Sequence, residues 1–318
     1  MGVGDWTCDG GPQVKLEETG ILARIRALLP GGEGLQDDCG ALPPPPPGET
    51  LLVTTDLMES GQHFCLDWHP PHLLARKLLT VNLSDLDASG ARPFGYTLTL
   101  ALGPDIEAPW LDAFLVSLAA ASREAGVQVL GGDTVGRPSG LGLGLTAFGF
   151  ASRWLRRDGL QARDLLFVDQ RPGASLRGLR RLQAGQRWDP ARPDPDLLAH
   201  LDPRPNLGLG VHLAALPEVH ACLDLSDGLS RDLRNLAEAS GLSIAVAPGL
   251  DEETLRGGED YARCFGSSLA QGDLEARLSL PLFCVGTALP RGESPLLTYH
   301  GSALRPLPDL SFNHFGPP

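Results

Sequence analysis

Six short aspartate-bearing stretches are spread along this chain, and its fold has to gather what they carry. They are Gln36-Asp37-Asp38, Thr54-Thr55-Asp56, Asn82-Leu83-Ser84-Asp85, Gly131-Gly132-Asp133-Thr134, Asp224-Leu225-Ser226-Asp227-Gly228 and Gly258-Glu259-Asp260. Most adjoin Gly, Ser or Thr, residues suited to the ends of strands and the starts of helices. Carboxylates delivered separately from such ends can converge on hard cations. Magnesium takes oxygen ligands, keeps several waters and bridges phosphate oxygens. The pattern points to magnesium–nucleotide chemistry in a dispersed acidic cage.

Apolar spacing predicts the elements that carry these stretches. Residues 17–29 read as a helix with Ile21, Leu22, Ile25, Leu28 and Leu29 on one face, ended by Pro30-Gly31-Gly32. Pro43 to Pro47 read as an extended loop. Residues 51–55 predict a strand delivering Asp56 at its end, and 71–86 a helix with Leu74, Leu78, Val81 and Asp85 close to one face. A strand over 96–102, a helix over 110–125 stopped by Gly126, and a short strand over 127–130 leading into Gly131-Gly132-Asp133 follow. Residues 141–150 alternate glycine with larger residues, a strand with one bare face. The Arg-rich stretch 152–163 marks the expected boundary between domains 1–151 and 152–318. Beyond it, strands are expected at 165–168, 221–225 and 243–246. Helices are expected at 175–182, at 196–201, and from a Ser226 cap to about Ala239. The order has no regular βαβ rhythm, so the class is α+β.

The 318 residues suit about two domains of ~150 each. A formal net charge of −13 argues against nucleic acid or an anionic membrane as partner. A phosphate ligand stays admissible, because bound divalent ions reverse the local sign. No apolar run approaches the ~20 residues of a membrane span, and residues 1–11 lack a signal-peptide pattern, so a cytoplasmic protein is expected. None of the six cysteines forms a Cys-x-x-Cys pair, which speaks against a zinc or redox centre. There is no Walker-type loop, and Gly140-Leu141-Gly142-Leu143-Gly144 opens no helix, so any nucleotide phosphates would be held mainly through metals.

Each stretch also has a plainer reading. Asp37-Asp38 is equally a solvated turn, Gly131-Gly132-Asp133 a common turn, Asp227 a helix-capping carboxylate and His63 a packed histidine. Asp85 differs, because a carboxylate on an apolar helix face needs a partner or a metal.

In this order the blocks resemble those of the thiamine-monophosphate kinase family, whose wider fold is shared by aminoimidazole ribonucleotide synthetase and selenophosphate synthetase. The likeness runs from about Asp37 to Phe315. It takes in Gly61-Gln62-His63-Phe64, Asn82-Leu83-Ser84-Asp85-Leu86, Gly257-Gly258-Glu259-Asp260-Tyr261 and Phe312-Asn313-His314-Phe315 besides the aspartate stretches. The resemblance implies a two-domain aminoimidazole ribonucleotide synthetase-like fold, with an N-terminal mixed sheet with helices and a C-terminal α/β domain. It implies ATP-dependent phosphorylation of thiamine monophosphate and a homodimer formed through the N-terminal domains. By the same resemblance Asp38, Thr54, Thr55, Asp56, Asp85, Asp133, Asp224 and Asp227 hold several Mg2+ ions, with Asp56, Asp85 and Asp133 central to catalysis. Gly132, Asp133, Arg157 and Ser226 contact ATP, and His63, Glu259 and Phe312 meet the thiamine substrate.

The chain departs from the family pattern at Gln36 (for Gly), Ser60 (for Glu), Phe312 (for Trp or Tyr) and Asn313 (for Asp), and Arg137 is displaced by one position. Two alternatives therefore stay open. One is a weakened or non-catalytic nucleotide- or thiamine-phosphate-binding paralogue. The other is a sister ATP-dependent synthetase, for which Cys8 is the only candidate thiol.

Overall fold

The protein is described here from a computed structural model, over residues 16–308 and 310. Its first half runs α1 (Glu18–Leu28), β1 (Thr50–Glu59), α2 (Pro71–Ala88), β2 (Arg92–Leu102), α3 (Ala108–Ala125), β3 (Gln128–Gly136) and β4 (Leu141–Ala151). The strands form one mixed sheet in the order β1-β4-β2-β3, with β2 and β3 parallel and the other pairs antiparallel. Leu98, Leu100, Leu143 and Leu145 point to one face, where they pack against Leu74 and Leu78 of α2 and Leu111, Phe114 and Leu118 of α3. Each such side chain contributes roughly 1.5–3 kcal/mol by leaving water. Gly142 and Gly144 lie on the reverse face, the bare one expected from their alternation. There Val53 and Leu57 remain 62% and 59% exposed.

The second half contains β5 (Leu165–Val168), α4 (Ala174–Gln183), α5 (Pro195–Leu201), α6 (Leu209–Ala214), β6 (Val219–Asp224), α7 (Leu229–Ala239), β7 (Ser243–Val246), α8 (Glu252–Arg256), β8 (Arg263–Ser267), α9 (Gln271–Leu278), β9 (Phe283–Leu289), β10 (Leu296–His300) and β11 (Ala303–Pro306). Its seven strands follow the order β11-β10-β7-β9-β5-β8-β6. Leu223, Leu229, Leu233, Leu236, Ile244 and Val285 form its core. Among the described residues no helix is long and apolar enough to cross a membrane.

Three local expectations change. Asp56 lies inside β1, because the strand continues to Glu59 by pairing Leu57 with Gly144 and Met58 with Leu143. Gly131-Gly132-Asp133 lies inside β3, because Gly132 lets that strand run close to β2; a Cβ there would meet the Leu98 carbonyl oxygen at 2.0 Å. Ser226 does not cap α7: the helix starts at Leu229 with Gly228 at its N-cap, so Asp227 precedes the first turn.

Candidate active site

Helix α2 lies between the two halves, and a cavity of about 570 Å³ opens along one side of it. That volume suits a small-molecule site. Asp56 from β1 and Asp85 from α2 reach the cavity from the first half, and Asp224, Ser226 and Asp227 reach it from the second. Strand parity explains Asp56: it aligns with buried Leu145, so it shares the face on which α2 packs.

The acids are under-compensated. Asp85 accepts a 2.6 Å hydrogen bond from Thr54 Oγ1. Burial, with Asp224 and Asp56 nearby, nevertheless pushes its carboxyl up to about 7, against a smaller opposing pull from Arg157. Burial and then Asp224 also raise Asp56. On α7, burial followed by Asp227 and Asp224 drives Asp232 up to about 8. Carboxylates held together in this way favour either protons or a cation. Among the described residues, no group of three or more His, Cys, Asp and Glu stands ready to hold a metal ion. The donor set nevertheless suits magnesium, which keeps several waters and completes its shell with phosphate oxygens.

Beyond the acids the cavity is lined by Met58, His63, Phe64, Trp68, Leu176, Glu259 and Tyr261. His63 Nδ1 accepts from the Glu59 backbone N–H at 3.0 Å. Glu259 Oε2 lies 3.3 Å from the buried Lys77 Nζ and 3.2 Å from His200 Nδ1. Burial pushes the Glu259 carboxyl up, but Lys77 and His200 outweigh it and hold the group below the usual carboxylate range. Glu259 and Tyr261 both have left-handed backbones, with φ of 57° and 53°. Their N–H groups are fixed to the Ser226 and Leu225 carbonyls, each at 2.9 Å.

The other expected site residues do not line this cavity among the described residues. Asp38 sits on an exposed turn. Thr55 is on the reverse face of the first sheet, 2.9 Å from Thr146 Oγ1. Asp133 aligns with Thr99 and, through Gly144, with the exposed Leu57, so it shares that reverse face rather than the face of Asp56. Gly132 aligns with Leu98 and supports strand packing. Arg157 opens a short 3-10 turn within electrostatic reach of Asp85. Phe312 lies outside the described residues. The displaced Arg137 forms an ion pair with Glu59, and Ser60 Oγ accepts from the Leu141 N–H at 3.0 Å.

Sequence reasoning missed Lys77, Ser84's bond to Asp224, Asp87, His200, Asp232 and Arg263. A signal existed for Lys77, Asp87 and Asp232, because a charge on a helix face otherwise filled with leucine requires a partner.

Known proteins are similar to this chain in sequence and fold. Residues 36–151 match the family model for AIR synthase related protein, N-terminal domain. The thiamine-monophosphate kinase of Salmonella typhimurium is 37% identical over 278 residues, covering 80% of this chain and 83% of the relative. That of Escherichia coli K12 is 38% identical over 275 residues, with the same coverage of each chain. The crystal structure of thiamine-monophosphate kinase from Stenotrophomonas maltophilia K279a superposes with a TM-score of 0.74 at 32% identity, covering 91% of this chain and 98% of its own. AaThiL complexed with AMPPCP and TMP superposes at 0.73 with 25% identity, covering 94% and 97%.

Proposed function

Because the chain belongs to the thiamine-monophosphate kinase family, we propose that its cleft transfers the γ-phosphoryl group of ATP directly to thiamine monophosphate, giving thiamine diphosphate. The observation that carries this reading is the convergence of Asp56 and Asp85 with Asp224 from the other half in one cavity. The solved relative in complex with AMPPCP, an ATP analogue, and TMP supports the same pair of ligands.

The acceptor is a phosphate monoester with a second pKa of ~6, largely ionised near neutral pH, so transfer needs no strong general base. The obstacle is charge: two unit charges ~4 Å apart repel by ~4 kcal/mol at an effective dielectric of 20. Magnesium, when bound, would supply the positive charge that offsets that repulsion. Asp56, Asp85, Asp224 and Asp227 are the residues of this cleft that would hold it. Arg157 and Ser226 flank the nucleotide side. His63, Glu259 and the aromatic rings of Phe64, Trp68 and Tyr261 face the thiamine side, where a ring wall suits a thiazolium cation.

The reading extends to assembly. The reverse face of the first sheet carries exposed Val53, Leu57 and Val135 alongside Asp133. A homodimer joined through that face would cover the apolar patch and bring Asp133, Thr55 and Gly132 toward a shared site. Residues 1–151 then serve as the nucleotide, metal and pairing domain, and residues 152–318 complete the substrate site. A cytoplasmic setting suits ATP as co-substrate.

The test is a coupled assay with Mg-ATP and thiamine monophosphate. Formation of thiamine diphosphate is expected. No turnover at high enzyme concentration, with ATP binding retained, would replace this reading with that of a binding paralogue.

A further inference from the structure

Asp224 reaches the cleft with one oxygen already engaged. Ser84 Oγ, on α2, donates to Asp224 Oδ2 at 2.6 Å across the boundary between the halves. The serine proton has no other choice. Arg263 Nη1 donates to the same Oγ at 2.8 Å, so the hydroxyl accepts from the guanidinium and gives its own hydrogen to the carboxylate. Arg263 is itself fully buried and held from two more directions. Its Nη1 also donates to the Tyr261 carbonyl at 2.7 Å, and its Nε to Asp87 Oδ2 at 2.6 Å. Asp87 is braced in turn by the N–H groups of Gly208 at 2.7 Å and Gly210 at 3.2 Å.

We propose that Arg263 is a positioning residue: acting through Ser84, it fixes the Asp224 carboxylate so that the oxygen not bonded to serine faces the cleft. The same linkage sets Asp224 of the second half against Asp85, the residue next to Ser84. This inference rests on the reading of Asp224 as a magnesium ligand. The ion pair is poorly explained by stability alone. An apolar pair of similar volume would do as well or better in such a buried place. Arg263 Nη2, moreover, is buried without a hydrogen-bond partner among the described residues, an arrangement that stability alone disfavours.

The test uses Ser84→Ala, the double variant Asp87→Ala with Arg263→Leu, and Asp224→Asn as reference. Mn2+ binding in the presence of AMPPCP is followed by electron paramagnetic resonance, alongside kcat and KM. Loss of an outer-sphere partner should weaken Mn2+ binding about 10–100-fold and lower kcat, with the KM for thiamine monophosphate unchanged. The double variant removes both buried charges and should stay folded; if it does not, Ser84→Ala decides alone. Folded variants that bind Mn2+ like wild type, while Asp224→Asn does not, overturn the positioning role. Wild-type Mn2+ binding by Asp224→Asn instead overturns the metal reading of Asp224, and the inference with it.

Discussion

Asp85 and Asp87 are two residues apart on one helix, yet the two sides of α2 treat a carboxylate differently. Asp87 faces Arg263 and the N–H groups of Gly208 and Gly210, so its charge is met by the protein. Asp85 receives one bond from Thr54 and shares its surroundings with Asp56 and Asp224. Charge that the fold neutralises is architecture. Charge that it crowds together and leaves over is a place for a ligand.

The largest test of this contrast is Asp85→Asn. It should lower kcat by about 10³-fold or more, the equivalent of ~4 kcal/mol in the barrier. Its urea midpoint should stay level or rise, because a crowded charge is removed; a marked fall would make Asp85 a structural acid like Asp87. Asp87→Ala should do the reverse. It strands the buried Arg263 and should cost about 3–5 kcal/mol in urea unfolding, and wild-type stability would break the comparison.

Magnesium should separate the two sides next. At a concentration of 100 Kd it should stabilise wild type by about 2.7 kcal/mol, seen as a rise in Tm. The rise should shrink in Asp56→Asn and persist in a folded variant lacking both Asp87 and Arg263, though at higher magnesium. Equal rises in all three proteins would remove the cleft acids from metal binding. The smallest effect is expected at Arg137, whose partly exposed pair with Glu59 does not line the cleft. Arg137→Ala should change stability by about 0.2–1 kcal/mol and leave the KM for ATP alone. A clear rise in that KM would show that the displaced arginine still serves the nucleotide.

The first half was legible because its helices and strands carry long apolar repeats. Residues 71–86 and 110–125, read as helices, form the cores of α2 and α3. The second half was harder. β8 opens with Arg263, a fully buried cation whose ion-pair partner Asp87 lies 176 positions away. Pro295 and Gly286 break the pattern around β9 and β10, whose pairing comes from distant strands. For the site, the chain order of the aspartates was informative, but their facing was not. Reading Gly131-Gly132-Asp133 as a turn hid the strand parity that sends Asp133 to the face opposite Asp56. The Lys77–Glu259 pair joins residues 182 positions apart, and no local spacing announces it.

The left-handed backbones at Glu259 and Tyr261 carry an evolutionary consequence. Each residue gives up about 1–2 kcal/mol that glycine would recover at the same dihedral angles. Glycine is nevertheless not the downhill path, because at 259 it would strand the buried Lys77 and at 261 it would open a cavity in the core, each costing about 3–5 kcal/mol. Among descendants of this chain, a carboxylate at 259 should therefore persist wherever a buried cation persists at 77, the two positions changing together.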